Sequence, residues 1–238
     1  MSKLFKYING NASPKDVLEI ISKNGLNKEY TIKGARNFLD FCLEKELIDE
    51  ISVKDYKDKL KYKTNNNCDV YVPSKKNILD TISKIKEIYS LEYIILRVLL
   101  ETGCRVTELK QFFEYFDETM VNTDEEVIAY PLGYIRGNKQ SYFLFMTKET
   151  FDLVLQNKDE LSKKNMAGLK TFIKRNNLVP MKYFRKFMFT LMINEGIDFE
   201  IANFIQGRIS KNVGVNYYLA KKQTATNQYK RIDFSSYR

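Results

Sequence analysis

The chain has 238 residues, 44% of them hydrophobic, so it can bury a core, and disorder is excluded as its default state. Lys and Arg number 39 against 30 Asp and Glu, a net charge of 39 − 30 = +9, which favours a polyanionic partner, nucleic acid being the commonest. There is no histidine, which excludes Ser-His-Asp and Cys-His catalysis, His-ligated zinc and a histidine general base.

The three cysteines, Cys42, Cys68 and Cys104, form no CxxC pair and are odd in number. A disulfide framework or zinc ribbon is therefore not expected, and reduced thiols in an intracellular protein are the simplest reading. No apolar run reaches about 18 residues, so no membrane span is expected. The first residues, MSKLFKYING, lack a signal-peptide core. Charge is segregated: residues 162–192 carry eight Lys/Arg and no acid, 207–238 carry seven with the single acid Asp233, and 111–128 carry six acids and no base. The basic surface is thus expected in the C-terminal half.

Helical signals come first along the chain. Ser13-Pro14-Lys15-Asp16 reads as an N-cap, a proline at the first helical position and an acid in the first turn, followed by Val17, Ile20 and Ile21 at helical spacing. Thr31 opens a second helix with Ala35, Phe38, Leu39 and Cys42 on one side. Ser52 to Asp55 resembles a capping box with Asp in place of Glu or Gln. The polar stretch 61–77, with three consecutive Asn and Pro73, reads as a linker. This predicts a small helical domain over 1–66, a linker over 67–75 and a larger domain over 76–238.

Ser90 caps the apolar helix SLEYIILRVLLET, which Gly103 stops. Residues 127–146 change period: VIAY, GYIR and SYFLFM flank the turn Gly137-Asn138 and predict a small antiparallel sheet. Helices resume at about 147–157 and 166–176. Pro180 starts a helix whose stripe is Phe184, Phe187, Met188 and Leu191, and Gly196 ends it. Asp198 caps the next, which stops at Gly207, and a last helix runs from about Ser210 through Tyr218. The fold class is mainly α with a small antiparallel β-sheet, α+β.

Three separated segments carry the chemistry. In TGCRVTEL, Gly103 ends one helix and Arg105 stands where the next begins, close to backbone N–H groups that suit a phosphate. Lys182 and Arg185, three apart, share a helix face. Gly207-Arg208 is followed by Asn216-Tyr217-Tyr218-Leu219. Taken singly, each is an ordinary wet helix face or packing residue.

Together the three resemble the boxes of the tyrosine recombinase (phage integrase) catalytic domain, over roughly residues 76–220. TGCRVTEL is similar to the family's T-G-x-R-x-x-E-L. KYFRKFMFTLMINEGIDFEIANFIQGR is similar to its H-x-x-R-H followed by a glycine and then G-H, with intervals of 11 from Arg185 to Gly196 and 11 from Gly196 to Gly207. The family's histidines are replaced by Lys182 and Arg208, as in the archaeal fusellovirus-type integrases. Lys and Arg still donate N–H bonds to phosphate oxygens, with permanent charge.

The resemblance implies a tyrosine recombinase catalytic fold preceded by a small helical core-binding domain. It implies a site-specific recombinase of a virus or mobile element, cleaving and rejoining double-stranded DNA through a 3′-phosphotyrosyl intermediate with no metal, ATP or other cofactor. Arg105, Arg185, Arg208 and Lys182 would hold the scissile phosphate, and Glu108 would orient Arg105. Tyr218 is the favoured nucleophile because Leu219 follows it, whereas counting from Arg208 as in Xer-type recombinases gives Tyr217. Lys139 in the hairpin turn would protonate the leaving oxygen; Arg136 competes for the aligned position but cannot readily release a proton. The N-terminal helices, with Lys28, Lys33 and Arg36, would help clamp the duplex. The segment after Tyr218 would dock on a neighbouring protomer in a homo-tetramer on two DNA sites. Two relatives of different function fit the same boxes: a non-catalytic DNA binder, and a type IB topoisomerase-like enzyme that relaxes DNA.

Overall fold

The computed structural model describes residues 28–60, 69–88, 90–122, 125–136, 139–208 and 215–237. The helix expected after Ser13 lies outside them. The chain divides into two compact units, Met1–Val70 and Tyr71–Arg238.

The first unit contains helices α1 (Lys28–Glu44) and α2 (Glu50–Lys59), which pack on each other. Ile32, Ala35, Val53 and Leu60 are buried between them, while Phe38 and Phe41 stay largely exposed. Helix α1 begins three residues before Thr31. Helix α2 likewise begins before the expected capping box. Its N-cap is Asp49, whose carboxylate accepts the Ser52 backbone N–H at 2.8 Å, and Ser52 is already inside the helix. Arg36 donates to the carbonyls of Lys57 at 2.6 Å and Leu60 at 3.3 Å, so its charge caps the C-terminal end of α2.

The second unit begins at α3 (Lys75–Lys86), capped by Ser74 and Asn77 in a reciprocal pair. The expected linker is therefore helical from Lys75 onward. Helix α4 (Ser90–Thr102) follows, with every residue from Tyr93 to Thr102 buried. An all-round apolar helix belongs at the centre of a domain. Around it pack α3, strand β2 (Lys139–Thr147), α6 (Lys148–Gln156) and α9 (Met181–Asn194). Ser90 is itself the first helical residue rather than a cap. Helix α5 (Val106–Glu114) leaves α4 at Gly103, whose φ of 57° is the left-handed turn that stops α4.

The sheet has two antiparallel strands, β1 (Val127–Arg136) and β2. VIAY and GYIR form one strand rather than two. The register runs Val127 opposite Thr147 to Pro131 opposite Phe143, slips, and resumes at Tyr134 opposite Ser141. The slip is a bulge made by Pro131, which has no N–H, and Gly133 at φ 59°. Helices α7 (Lys158–Lys163) and α8 (Met166–Arg175) lead to α9, in which Met181 and Met192 are buried and Leu191 is only half-buried. Helix α10 (Phe199–Ile205) ends in a Schellman turn: the Gly207 N–H reaches the Phe204 carbonyl at 2.9 Å, and the Arg208 N–H reaches the Asn203 carbonyl at 2.9 Å.

The last helix, α11 (Val215–Tyr229), continues eleven residues past Tyr218, and the start expected at about Ser210 lies outside the described residues. Its far end and the segment after it are core. Ala225, Tyr229, Ile232, Phe234 and Tyr237 are all buried, and the Tyr229 hydroxyl donates to the Glu101 carbonyl at 3.0 Å. The segment expected to reach a neighbouring protomer thus packs, in this structure, on its own chain. The reason is its apolar spacing, which fits the groove beside Phe145 and Phe187.

A candidate anion site built from three arginines

The geometry starts at Gly103. The turn there places Arg105 as the N-cap of α5, with φ −81° and ψ 151°. Glu108, buried one turn into α5, accepts the Arg105 backbone N–H at 2.7 Å and pairs with its guanidinium. A carboxylate at this position suits the positive end of α5 and fixes the arginine at two points.

Arg185 projects from the middle of α9 with 13% of its side chain exposed. Its Nη1 donates to the Gly103 carbonyl at 2.8 Å, its Nη2 to the Gln206 carbonyl at 2.5 Å, and Nη1 lies 3.8 Å from Glu108. Burial, then the Arg105 charge, then Arg208, pull its proton affinity down to about 10, and Glu108 pulls it back up. Arg208 leaves the Schellman turn with its guanidinium 4.5 Å from the Phe189 ring centre. The residue as a whole is exposed, yet its charged end is partly desolvated. Burial, and after it Arg105, lower its proton affinity.

The three arginines therefore share one electrostatic field, although they stand 80 and 23 residues apart in the chain (185 − 105 and 208 − 185). Three guanidiniums and one carboxylate leave an excess of two positive charges (3 − 1 = 2). Arginines kept close against their mutual repulsion are an arrangement that an anion would relieve, which makes this the candidate site.

The other expected residues are placed less completely. Lys182 is exposed on α9, its ammonium 4.4 Å from the Tyr183 ring centre. Lys139 opens β2 and pairs across the ladder with Arg136; the side chains of both lie outside the described residues. Tyr217 and Tyr218 fall in the first turn of α11, and their side chains also lie outside them. Among the described residues no group of His, Cys, Asp and Glu could hold a metal ion, and no helix is long and apolar enough to cross a membrane.

Two residues of the site carry no motif signal. Gln206 is buried and donates from Nε2 to the Arg185 carbonyl at 2.8 Å. Phe189 supports Arg208. The one sequence hint is that Gln206 is polar at the end of the apolar run IANFI, directly before Gly207-Arg208.

Among the described residues the second unit is mostly helical with one hairpin, and its fold brings together segments that carry three arginines distant in the chain. The archaeal phage integrase family model matches residues 70–233, well over half of the 238, and the chain belongs to that family. That membership points to DNA recombination or integration, with DNA as the partner. No curated protein matches the chain.

Proposed function

We propose that the protein is a tyrosine recombinase that cleaves and rejoins double-stranded DNA without a metal ion or ATP. The observation that carries this reading is the convergence of Arg105, Arg185 and Arg208: Arg185 bonds the carbonyls of Gly103 and Gln206 beside the other two, and Arg185 and Arg208 are lowered in proton affinity first by burial and then by Arg105. A phosphodiester carries one negative charge and gains a second as a nucleophile adds to phosphorus. The excess of two positive charges matches that developing charge.

The nucleophile is Tyr218, with Tyr217 its neighbour. Its hydroxyl proton passes to solvent, from which Lys139 later regains one; the phenolate oxygen attacks phosphorus, the bond to the 5′-oxygen breaks, and a 3′-phosphotyrosine forms. The leaving 5′-oxygen takes a proton from Lys139, and Lys182 adds a further N–H donor to the phosphate. Attack by a 5′-hydroxyl on the phosphotyrosine reverses these steps, so joining needs no other energy source. The first unit works as a clamp on the duplex, and a homo-tetramer on two DNA sites is the working assembly.

The test is covalent capture on a pool of nicked duplexes whose sequence is randomised around the nick. The nick lets the cleaved end diffuse away and leaves protein on DNA. The expected result is an adduct, formed in the presence of chelator, whose modified peptide contains Tyr218. An adduct on another residue overturns the nucleophile assignment. Duplex binding without any adduct overturns the catalytic reading in favour of a DNA-binding relative.

A further inference from the structure

We propose that Gln206 is a positioning residue for Arg185, and that its side chain is the part that joins the three arginine-bearing segments into one site. The proposal rests on Arg185 being a phosphate ligand.

Gln206 and Arg185 clasp each other. The side chain of each bonds the backbone carbonyl of the other, at 2.8 Å from Gln206 Nε2 and 2.5 Å from Arg185 Nη2. A helical carbonyl has two lone pairs, and the second takes the amide of Gln206 without opening α9. The same amide fills the space beside Gly103. A Cβ at Gly103 would come 2.5 Å from Gln206 Nε2 and 3.3 Å from its Cδ. Gly103 in turn offers its carbonyl to Arg185 Nη1 at 2.8 Å.

One buried amide therefore touches the segment before Arg105, the residue Arg185, and the turn that delivers Arg208. Of the five N–H donors of the Arg185 guanidinium, two are spent on these carbonyls. That fixes the plane of the fork and directs what remains. Leucine at 206 would keep the volume, lose the donor, and let the guanidinium swing. A displacement of about 1 Å at a reacting phosphate costs about a hundredfold in rate.

The test measures single-turnover cleavage of the duplex that the capture pool selects, for wild type, Gln206→Leu, Arg185→Lys and the double variant. The expected results are a roughly 10–100-fold fall for Gln206→Leu in the wild-type background and less than about a twofold fall in the Arg185→Lys background. An equal fall in both backgrounds, or none in either, overturns the proposal and leaves the recombinase reading standing. If wild type forms no adduct, the recombinase reading fails. The clasp is then judged by nitrogen NMR of the Arg185 guanidinium. Separate Nη signals in wild type that merge in Gln206→Leu support it, and unchanged signals overturn it. If Gln206→Leu does not fold, Gln206→Met, unbranched and of similar length, takes its place in every arm.

Discussion

Glu108 holds Arg105 from beneath at two points, one oxygen on its backbone N–H at 2.7 Å and the other on its guanidinium. The carboxylate is buried and is also a group that raises the proton affinity of Arg185. Glu108→Gln keeps the shape but can serve only one of the two donors with an oxygen. A fall in adduct formation of about 10–100-fold is expected, as for other residues that orient a ligand from behind. Adduct formation at the wild-type rate would sink the orienting role.

The crowding of the arginines predicts stabilisation by anions. Arg185 has a folded-state value of about 10, well below that of an ordinary guanidinium, first because of its burial. The fold therefore pays for its charge at every pH below about 10, and that penalty fades as pH rises from there toward the ordinary guanidinium range. An anion in the pocket relieves it at neutral pH. Sulfate at ten times its dissociation constant should add about 1.4 kcal/mol and raise Tm by about 3–5 °C over chloride. Sulfate also stabilises proteins generally by exclusion. The decisive comparison is therefore with Arg105→Ala, which should lose most of the rise; equal rises in the two proteins would rule out the shared pocket.

Gly103 and Gly196 both have positive φ, 57° and 72°, but only Gly103 faces a crowded space. Alanine at 196 meets nothing within 4 Å and should cost only the left-handed strain, about 1–2 kcal/mol. Alanine at 103 adds a 2.5 Å approach to Gln206 and a 3.1 Å approach to Met188. Urea unfolding should show a larger loss at 103 than at 196, together with slower adduct formation only at 103. Equal losses would mean that the Gln206 side chain moves aside freely.

Arg97 and Glu101 form a buried ion pair on α4, with Glu149 2.9 Å from Arg97 and with Thr147 and Thr150 donating to Glu101 at 2.6–2.9 Å. Burial raises the Glu101 carboxyl, against the pull of those donors. Glu101→Ala strands Arg97 without its buried partner and should cost about 3–5 kcal/mol. Arg97→Met with Glu101→Leu should cost less than either single change. A double variant as unstable as the sum of the two would contradict this account.

Burial pushes the Cys104 thiol up to about 12, with Glu108 adding to the rise and Thr102 and Arg185 opposing it. At pH 8 the folded protein should therefore resist iodoacetamide at Cys104, while half-buried Cys42 reacts sooner. Peptide mapping with and without denaturant reads this directly. The unfolded chain gives up the thiol proton near the ordinary 9.0, the folded chain only near 12. Stability should fall as pH rises through that window, and Cys104→Ala should remove part of the slope. Burial raises the Tyr229 hydroxyl as well, which adds to the fall above pH 10.

The arginine-bearing segments were legible because each is anchored by a local rule. Gly103, Gly196 and Gly207 are helix-ending glycines, and fixed spacing from them sets Arg105, Arg185 and Arg208. The hairpin was legible from β-branched and aromatic runs about Gly137-Asn138. What sequence hid depends on contacts made across the fold. The supporting roles of Gln206 and Phe189 exist only when α9 and α10 meet. Helix starts at Lys28 and Glu50 slipped past Thr31 and Ser52 because those hydroxyl residues sit within the helix rather than before it. The capping of α2 by Arg36 is likewise visible only once Lys57 and Leu60 stand beside it. The burial of the segment after Tyr218 was not legible, because its apolar residues look the same whether they serve a neighbour or their own core.

That last segment has a consequence for synthesis. Tyr229 closes over Glu101, and Tyr237 lies between Phe187 and Phe234, so α4 and α9 lack their cover until residues 225–237 exist. Domains fold as units while the chain emerges. A nascent chain still short of residue 225 therefore already contains Arg105, Arg185 and Arg208 while the apolar faces beside α4 and α9 stand open to water.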